Sequence, residues 1–185
     1  TRQFEKLRPK LQAFLPVCRL TVVYPVVVRK RLNWIDPQTG EVVQQGRWFR
    51  CGTVYSLFSE LYRIRAFLND QNLSFRVVEL TAEEYRLLNG YGAQKKNHAE
   101  KYDRIPDSLE REWKLERAED LQAFLPQGLP RTFDSSAFAR TAGISRSLAQ
   151  LTLLVLTETG IVKRTGKKGN AYLYEACNSE QKTIK

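Results

Sequence analysis

The chain reads as an α+β protein of two modules, and three observations predict this. Residues 3–80 change their hydrophobic period in the order helix, strand, strand, strand, helix, strand, an αβββαβ-type N-terminal module. Residues 133–174 read as helix, glycine turn, helix and two-stranded hairpin, with capping residues where each helix opens. Across 185 residues, a hydrophobic content of 42% with 11% aromatics is ordinary for a packed chain and excludes global disorder.

Each element has its own reason. Residues 3–15 put Phe4, Leu7, Leu11, Phe14 and Leu15 on one helical stripe, with Pro9 kinking the helix or marking its start and Pro16 ending it. The hexapeptide Leu-Gln-Ala-Phe-Leu-Pro at 11–16 returns at 121–126 without matching flanks, so it marks two proline-stopped helix ends and not a repeat. Residues 18–28 are rich in β-branched residues and predict a strand that Pro25 bulges, breaks or confines to an edge. Leu32–Asp36 predicts a second strand, 37–40 a tight turn and Glu41–Arg50 the return strand. Val54–Asn69 has Leu57, Leu61, Ile64 and Leu68 on one helical face, and Leu73–Leu80 alternates as a strand. Thr81-Ala-Glu-Glu84 has capping-box spacing and predicts a short helix to Leu88.

Residues 89–107 form a long segment rich in glycine and charge, in which Tyr91, Lys95, Lys96, Lys101, Tyr102 and Arg104 interleave aromatic and basic groups. Such a loop can follow a phosphate backbone or stack on bases; the alternative is a solvated loop. Residues 108–125 predict a short strand or turn and then a helix. Asp134 or Ser135 caps the next helix, Gly143 ends it, Ser145 caps another that closes at Gly160, and 161–174 make a hairpin with a Gly-Lys-Lys-Gly tip. The expected domains are 1–105, 106–176 and a flexible tail, 177–185.

The net charge is +10, with 18 Lys/Arg against 10 Asp/Glu in residues 1–105 and 12 against 10 in the remainder. A polyanion is the simplest partner for that balance. Cys18, Cys51 and Cys177 are odd in number and far apart, which fits a reducing cytoplasm and excludes a zinc cluster. A lone His98 speaks against histidine-based metal or nucleophilic chemistry. The longest apolar stretch, Leu20–Val28, is about half of the ~20 residues that a membrane helix needs. The charged, amphipathic N-terminal residues do not read as a signal peptide.

In order and length, residues 133–174 resemble the winged helix-turn-helix superfamily. That resemblance implies a recognition helix with Leu148, Leu151, Val155 and Leu154 inward, and Ser145, Arg146, Ala149 and Gln150 toward the major groove. Arg146 matches the edge of guanine and Gln150 that of adenine. Lys163, Arg164, Lys167 and Lys168 would meet phosphates from the hairpin, and Lys95 and Lys96 would extend the contact. The competing reading of the same domain is a protein-interaction module whose lysines keep the tip soluble.

The order of residues 3–80 looks like the core of the restriction-endonuclease-like PD-(D/E)XK superfamily. That likeness implies a Mg²⁺- or Mn²⁺-dependent endonuclease with Asp36, Glu41 and Glu60 as catalytic carboxylates, Asp36 and Glu41 as metal ligands and Glu5 as a fourth candidate. The motif's lysine is missing from Glu41-Val42-Val43, so Gln44, Arg47 or Arg63 would have to replace it. Asp36 and Glu41 are also natural flanks of a hairpin turn. The whole chain resembles an uncharacterised prokaryotic family, through Trp34–Glu41, Glu60–Ile64, Glu84–Arg86, Tyr102–Pro106 and Gly166–Tyr174. The expected function is duplex DNA binding by the C-terminal domain, with the basic N-terminal module extending the contact or engaging a protein partner. No cofactor is expected outside the nuclease reading.

Overall fold

Leu20–Ile35 forms one strand of sixteen residues, β1, in the computed structural model, which describes residues 3–90 and 99–177. β1 absorbs what the sequence divides into two strands. Pro25 survives inside it because it precedes the pairing of β1 with its short neighbours, β2 (Val42–Gln45) and β3 (Phe49–Arg50), so a missing N–H costs no bond on that side. Both neighbours are antiparallel to β1, with Asn33 opposite Gln45 and Lys30 opposite Phe49. On the other side of β1 lies β4 (Leu73–Leu87), and beyond it β5 (Glu100–Leu115), giving the order β2-β1-β4-β5 with β3 also on β1. β1 and β4 run the same way: Leu20 N–H donates to Asn72 O at one end, and Leu88 N–H to Ile35 O at the other. A second sheet of three strands, β6 (Thr132–Phe133), β7 (Val162–Lys168) and β8 (Ala171–Ala176), has the order β6-β8-β7.

This corrects the predicted fold class. The chain is not an αβββαβ module followed by a winged helix-turn-helix domain; it is a mixed fold built on a five-stranded and a three-stranded sheet. Two misread segments explain the difference. Thr81–Leu87 continues β4, because the residues that mimic a helix cap bond across strands instead. Thr81 Oγ1 meets Asp107 Oδ2 at 2.9 Å and Ser108 Oγ at 2.7 Å, and Glu83 and Glu84 bind cations of β1 and β5. Residues 100–107, expected in a loop, open β5, whose charged residues hide any period because nearly all of the strand is exposed. The expected boundary at 105/106 falls inside β5; of the expected tail only Cys177 lies within the described residues.

The chain divides into two units: Thr1–Tyr24, Tyr55–Val77 and Trp113–Lys185 make the first, Pro25–Val54 and Val78–Glu112 the second. The first holds the helices. Helix α1 (Arg8–Phe14) follows a 3-10 turn at Phe4–Leu7 and has Pro9 in its first turn, where a missing N–H is harmless. Helix α2 (Leu57–Leu61) continues into a 3-10 stretch to Phe67, and the expected stripe of Leu57, Leu61, Ile64 and Leu68 is buried. Phe124 packs edge-on to Phe58 with ring centres 5.4 Å apart, and Tyr55 donates its hydroxyl to Phe124 O at 2.9 Å. The repeated hexapeptide shows how context decides burial: Phe14 is 49% exposed, whereas Phe124 is buried.

Helix α3 (Ser135–Ala142) is capped by Asp134, whose Oδ1 accepts the Ala137 N–H at 2.7 Å. It ends at Gly143 with φ 66°, a left-handed position that favours glycine. Helix α4 (Arg146–Glu158) follows at once. The second unit is almost wholly strand, and its polar side chains pair across the sheet. Among the described residues, no helix is long and apolar enough to cross a membrane.

Candidate nucleic-acid interface

The start of α4 is set by Ser145, whose Oγ accepts the Leu148 N–H at 3.3 Å and lies 3.1 Å from Ser147 Oγ. Ser145 is therefore engaged as a cap. Arg146 and Gln150, one turn apart, are both exposed on the same face of the helix. The buried arc differs from the expected one. Ala149, Thr152, Leu153, Val155 and Leu156 are buried, while Leu148, Leu151 and Leu154 are half-buried. The reason is that α4 packs against α2 and α3 and also against β7, so its contact face is wider than a single stripe and takes in Ala149.

The hairpin is longer than its sequence suggests. Gly166, Lys167 and Lys168 belong to β7, and the turn is the pair Gly169-Asn170 between Lys168 and its partner Ala171. Gly169 has φ 60°, which suits the tight turn. The register slips between Arg164 and Gly166, a bulge that re-aims the side chains on either side of it. Arg164 and Lys167 both end on Tyr172: the guanidinium carbon is 4.4 Å from the ring centre and the ammonium 4.7 Å. Lys163, Arg164, Lys167 and Lys168 are all exposed, and residues 162–174 contain no acidic side chain. Sequence reasoning missed Tyr172. Tyr172 and Tyr174 lie two apart in the return strand and so share its face, and nothing in the sequence separates the first, 41% exposed, from the second, which is buried.

In the second unit the charges are largely matched. Glu84 is buried, with Lys30 Nζ 2.9 Å from its Oε2, Arg104 on the same oxygen and Arg86 Nη2 2.8 Å from Oε1. Burial alone would raise this carboxyl; the hydrogen bonds from Arg104, Lys30 and Arg86 outweigh it and hold the pKa at about 2. Glu83 projects to the opposite face, where hydrogen bonds from Arg31 and Tyr85, opposed by burial and helped by Asn33, hold it below the usual carboxylate range. Neither glutamate stood out in the sequence, because the spacing Thr-x-x-Glu pointed to a helix cap.

The carboxylates of the nuclease reading have other occupations. Asp36 Oδ1 accepts the N–H groups of Gln38 and Thr39 at 2.7 and 3.1 Å, and so holds the turn into β2. Glu41 is exposed at the far side of that turn, where its N–H donates to Thr39 Oγ1. Glu60 Oε2 accepts the Phe4 N–H at 2.9 Å, and Glu5 meets Arg63 at 3.2 Å and Arg8 at 3.9 Å. Gln44 and Arg47 are exposed. Asp36 and Glu41 belong to the second unit and Glu60 to the first. Among the described residues, no three His, Cys, Asp or Glu side chains gather into a metal-holding group. Lys95 and Lys96 lie outside the described residues.

Neither the curated proteins nor the solved structures contain a match to this chain. A family match covers residues 1–116, which take in α1, α2 and the whole of the five-stranded sheet, and leaves α3, α4 and the hairpin outside it. With more than half of its length matched, the chain belongs to the family described as Domain of unknown function (DUF8091).

Proposed function

We propose that this protein binds duplex DNA through the first turn of α4 and the β7–β8 hairpin. The observation that carries the reading is the hairpin itself. Four exposed cations stand on β7, which the two-residue turn Gly169-Asn170 joins to β8; Lys163 is opposite Glu175, the other three are opposite uncharged residues, and two of the four are held against Tyr172. A cation resting on an aromatic face keeps its donors and gives up less freedom when it meets a phosphate. Arg146 and Gln150 are the base-reading pair, their forks matching guanine and adenine, and both are exposed. The basic residues of the N-terminal half extend the electrostatic contact. A reducing, cytoplasmic location fits the cysteines, none of which is in a disulfide although Cys18 and Cys51 are exposed.

The test is a titration of labelled duplex of mixed sequence with the full chain at several salt concentrations. Counterion release gives a slope of log affinity against log salt of about −0.9 for each phosphate contacted, so four cations on phosphates give about −3.6. Binding that salt leaves unchanged, or no binding at low salt, would overturn the proposal.

A further inference from the structure

Arg29 of β1 and Arg50 of β3 are register partners, and both side chains are exposed. Cys51 N–H donates to Val28 O at 3.0 Å, which makes 28 and 51 a hydrogen-bonded pair and 29 and 50 the closer, non-hydrogen-bonded kind. In such a pair the Cα atoms are about 4.5 Å apart, and both side chains leave the same face of the sheet. Like charges placed there repel each other and destabilise the pairing.

Among the described residues no carboxylate offsets this. Residues 20–35 and 42–54 contain no Asp or Glu. Asp36 is held in its turn by two N–H groups. On β4, Glu83 is bound by Arg31 and Asn33, and Glu84 by Lys30, Arg86 and Arg104. Neither Arg29 nor Arg50 has a side-chain hydrogen bond or ion pair among the described residues. The sheet thus matches Lys30, Arg31, Arg86 and Arg104 to carboxylates and leaves the closely spaced Arg29–Arg50 pair unmatched.

Two guanidinium groups side by side on adjacent strands suit an anion with enough charge and oxygens for both. A carboxylate has one charge and two oxygens, which the fork of a single arginine already satisfies. A terminal phosphate carries about −1.5 to −2 charges at neutral pH and presents three free oxygens. It matches two arginines in charge and in acceptors, and the arginine fork is suited to bidentate phosphate contacts. We propose that Arg29 and Arg50 bind a terminal phosphate group, carried by a small phosphorylated molecule or by the 5′ end of a DNA strand. The inference uses only β1 and β3 and is independent of the reading of α4 and the hairpin.

The side-chain Nε–Hε resonances of the full chain, labelled with ¹⁵N-arginine, test it. They are followed with inorganic phosphate at constant ionic strength, then with a duplex bearing 5′-phosphates and the same duplex bearing 5′-hydroxyls. Inorganic phosphate should shift Arg29 and Arg50 saturably. Half-saturation, read at Arg50, should rise about tenfold in Arg29→Gln, the loss of one charged hydrogen-bonding partner. It should be unchanged in Lys10→Gln, which removes an exposed cation of α1. Arg50→Glu turns the like-charge pair into an opposite-charge one, so it should raise the melting midpoint without phosphate and abolish the response of Arg29. A response to the 5′-phosphate duplex and not to the 5′-hydroxyl duplex assigns the phosphate to a DNA end; a response to inorganic phosphate alone assigns it to a small molecule. No saturable shift with inorganic phosphate, shifts shared by every exposed arginine, equal responses to the two duplexes, or a lower midpoint in Arg50→Glu would each overturn the proposal.

Discussion

Lys167→Ala combined with Lys168→Ala should lower the affinity for duplex DNA about tenfold or more and flatten its salt slope by about 1.8, the loss of two phosphate contacts. Both side chains are exposed, so the fold should be unchanged, and circular dichroism checks this. The effect should be alike for all DNA sequences, because phosphate contacts carry no base information. Arg146→Ala provides the contrast: a lost base contact costs about 1–3 kcal/mol at one position of a preferred site and much less elsewhere. If the double lysine variant keeps both affinity and slope, the hairpin does not lie on DNA, whatever else the protein binds.

The second large effect concerns Glu84. Three cations share this buried carboxylate, and Glu84→Gln leaves them facing one another without a counter-charge. Removing one partner of a buried ion pair costs about 3–5 kcal/mol. The cations are partly exposed, Arg104 the most at 33%, so solvent screening favours the lower end, about 3 kcal/mol. For a chain of this length that is a fall of about 6–12 °C in the melting midpoint. The sign with pH follows from the depressed pKa. Folding holds the Glu84 carboxyl at about 2 against an ordinary 4.5, so its contribution is full above pH 4.5 and fades as pH falls toward 2. The gap between wild type and Glu84→Gln should therefore be widest at neutral pH and narrow in acid. A gap that is constant or widens on acidification would mean that the cations do not depend on this carboxylate.

How much could be read from the sequence depended on whether a residue's partner was local. The leucine stripe from Leu57 was legible because Leu57, Leu61, Ile64 and Leu68 are all buried, although the segment is a short helix followed by a 3-10 stretch with a kink at Ile64 and not the single helix expected over Val54–Asn69. The caps at Asp134 and Ser145 are local bonds to N–H groups three residues on, and they stand where expected. Asp36 was legible for the same reason, as the flank of its own turn. Thr81, Glu83 and Glu84 failed the same local test: their partners are Ser108, Arg31 and Arg104, some twenty to fifty residues away, and nothing in a short window reveals that. β5 was illegible because an exposed edge strand needs no apolar alternation. α4 sits between these cases. Its length and cap were plain, but three neighbouring elements turned its buried arc so that Ala149 went inward. Arg146 and Gln150 stayed outward because the cap at Ser145 fixes where the helix begins.

Amide chemical-shift mapping of the ¹⁵N-labelled chain titrated with duplex DNA tests the central claim most directly, because it reports where DNA touches without assuming any residue. Perturbations concentrated at residues 145–150 and 163–172, and reversed by added salt, are the expected result. Perturbations confined to residues 3–115, or none at saturating DNA, would contradict a DNA-binding face built from α4 and the β7–β8 hairpin.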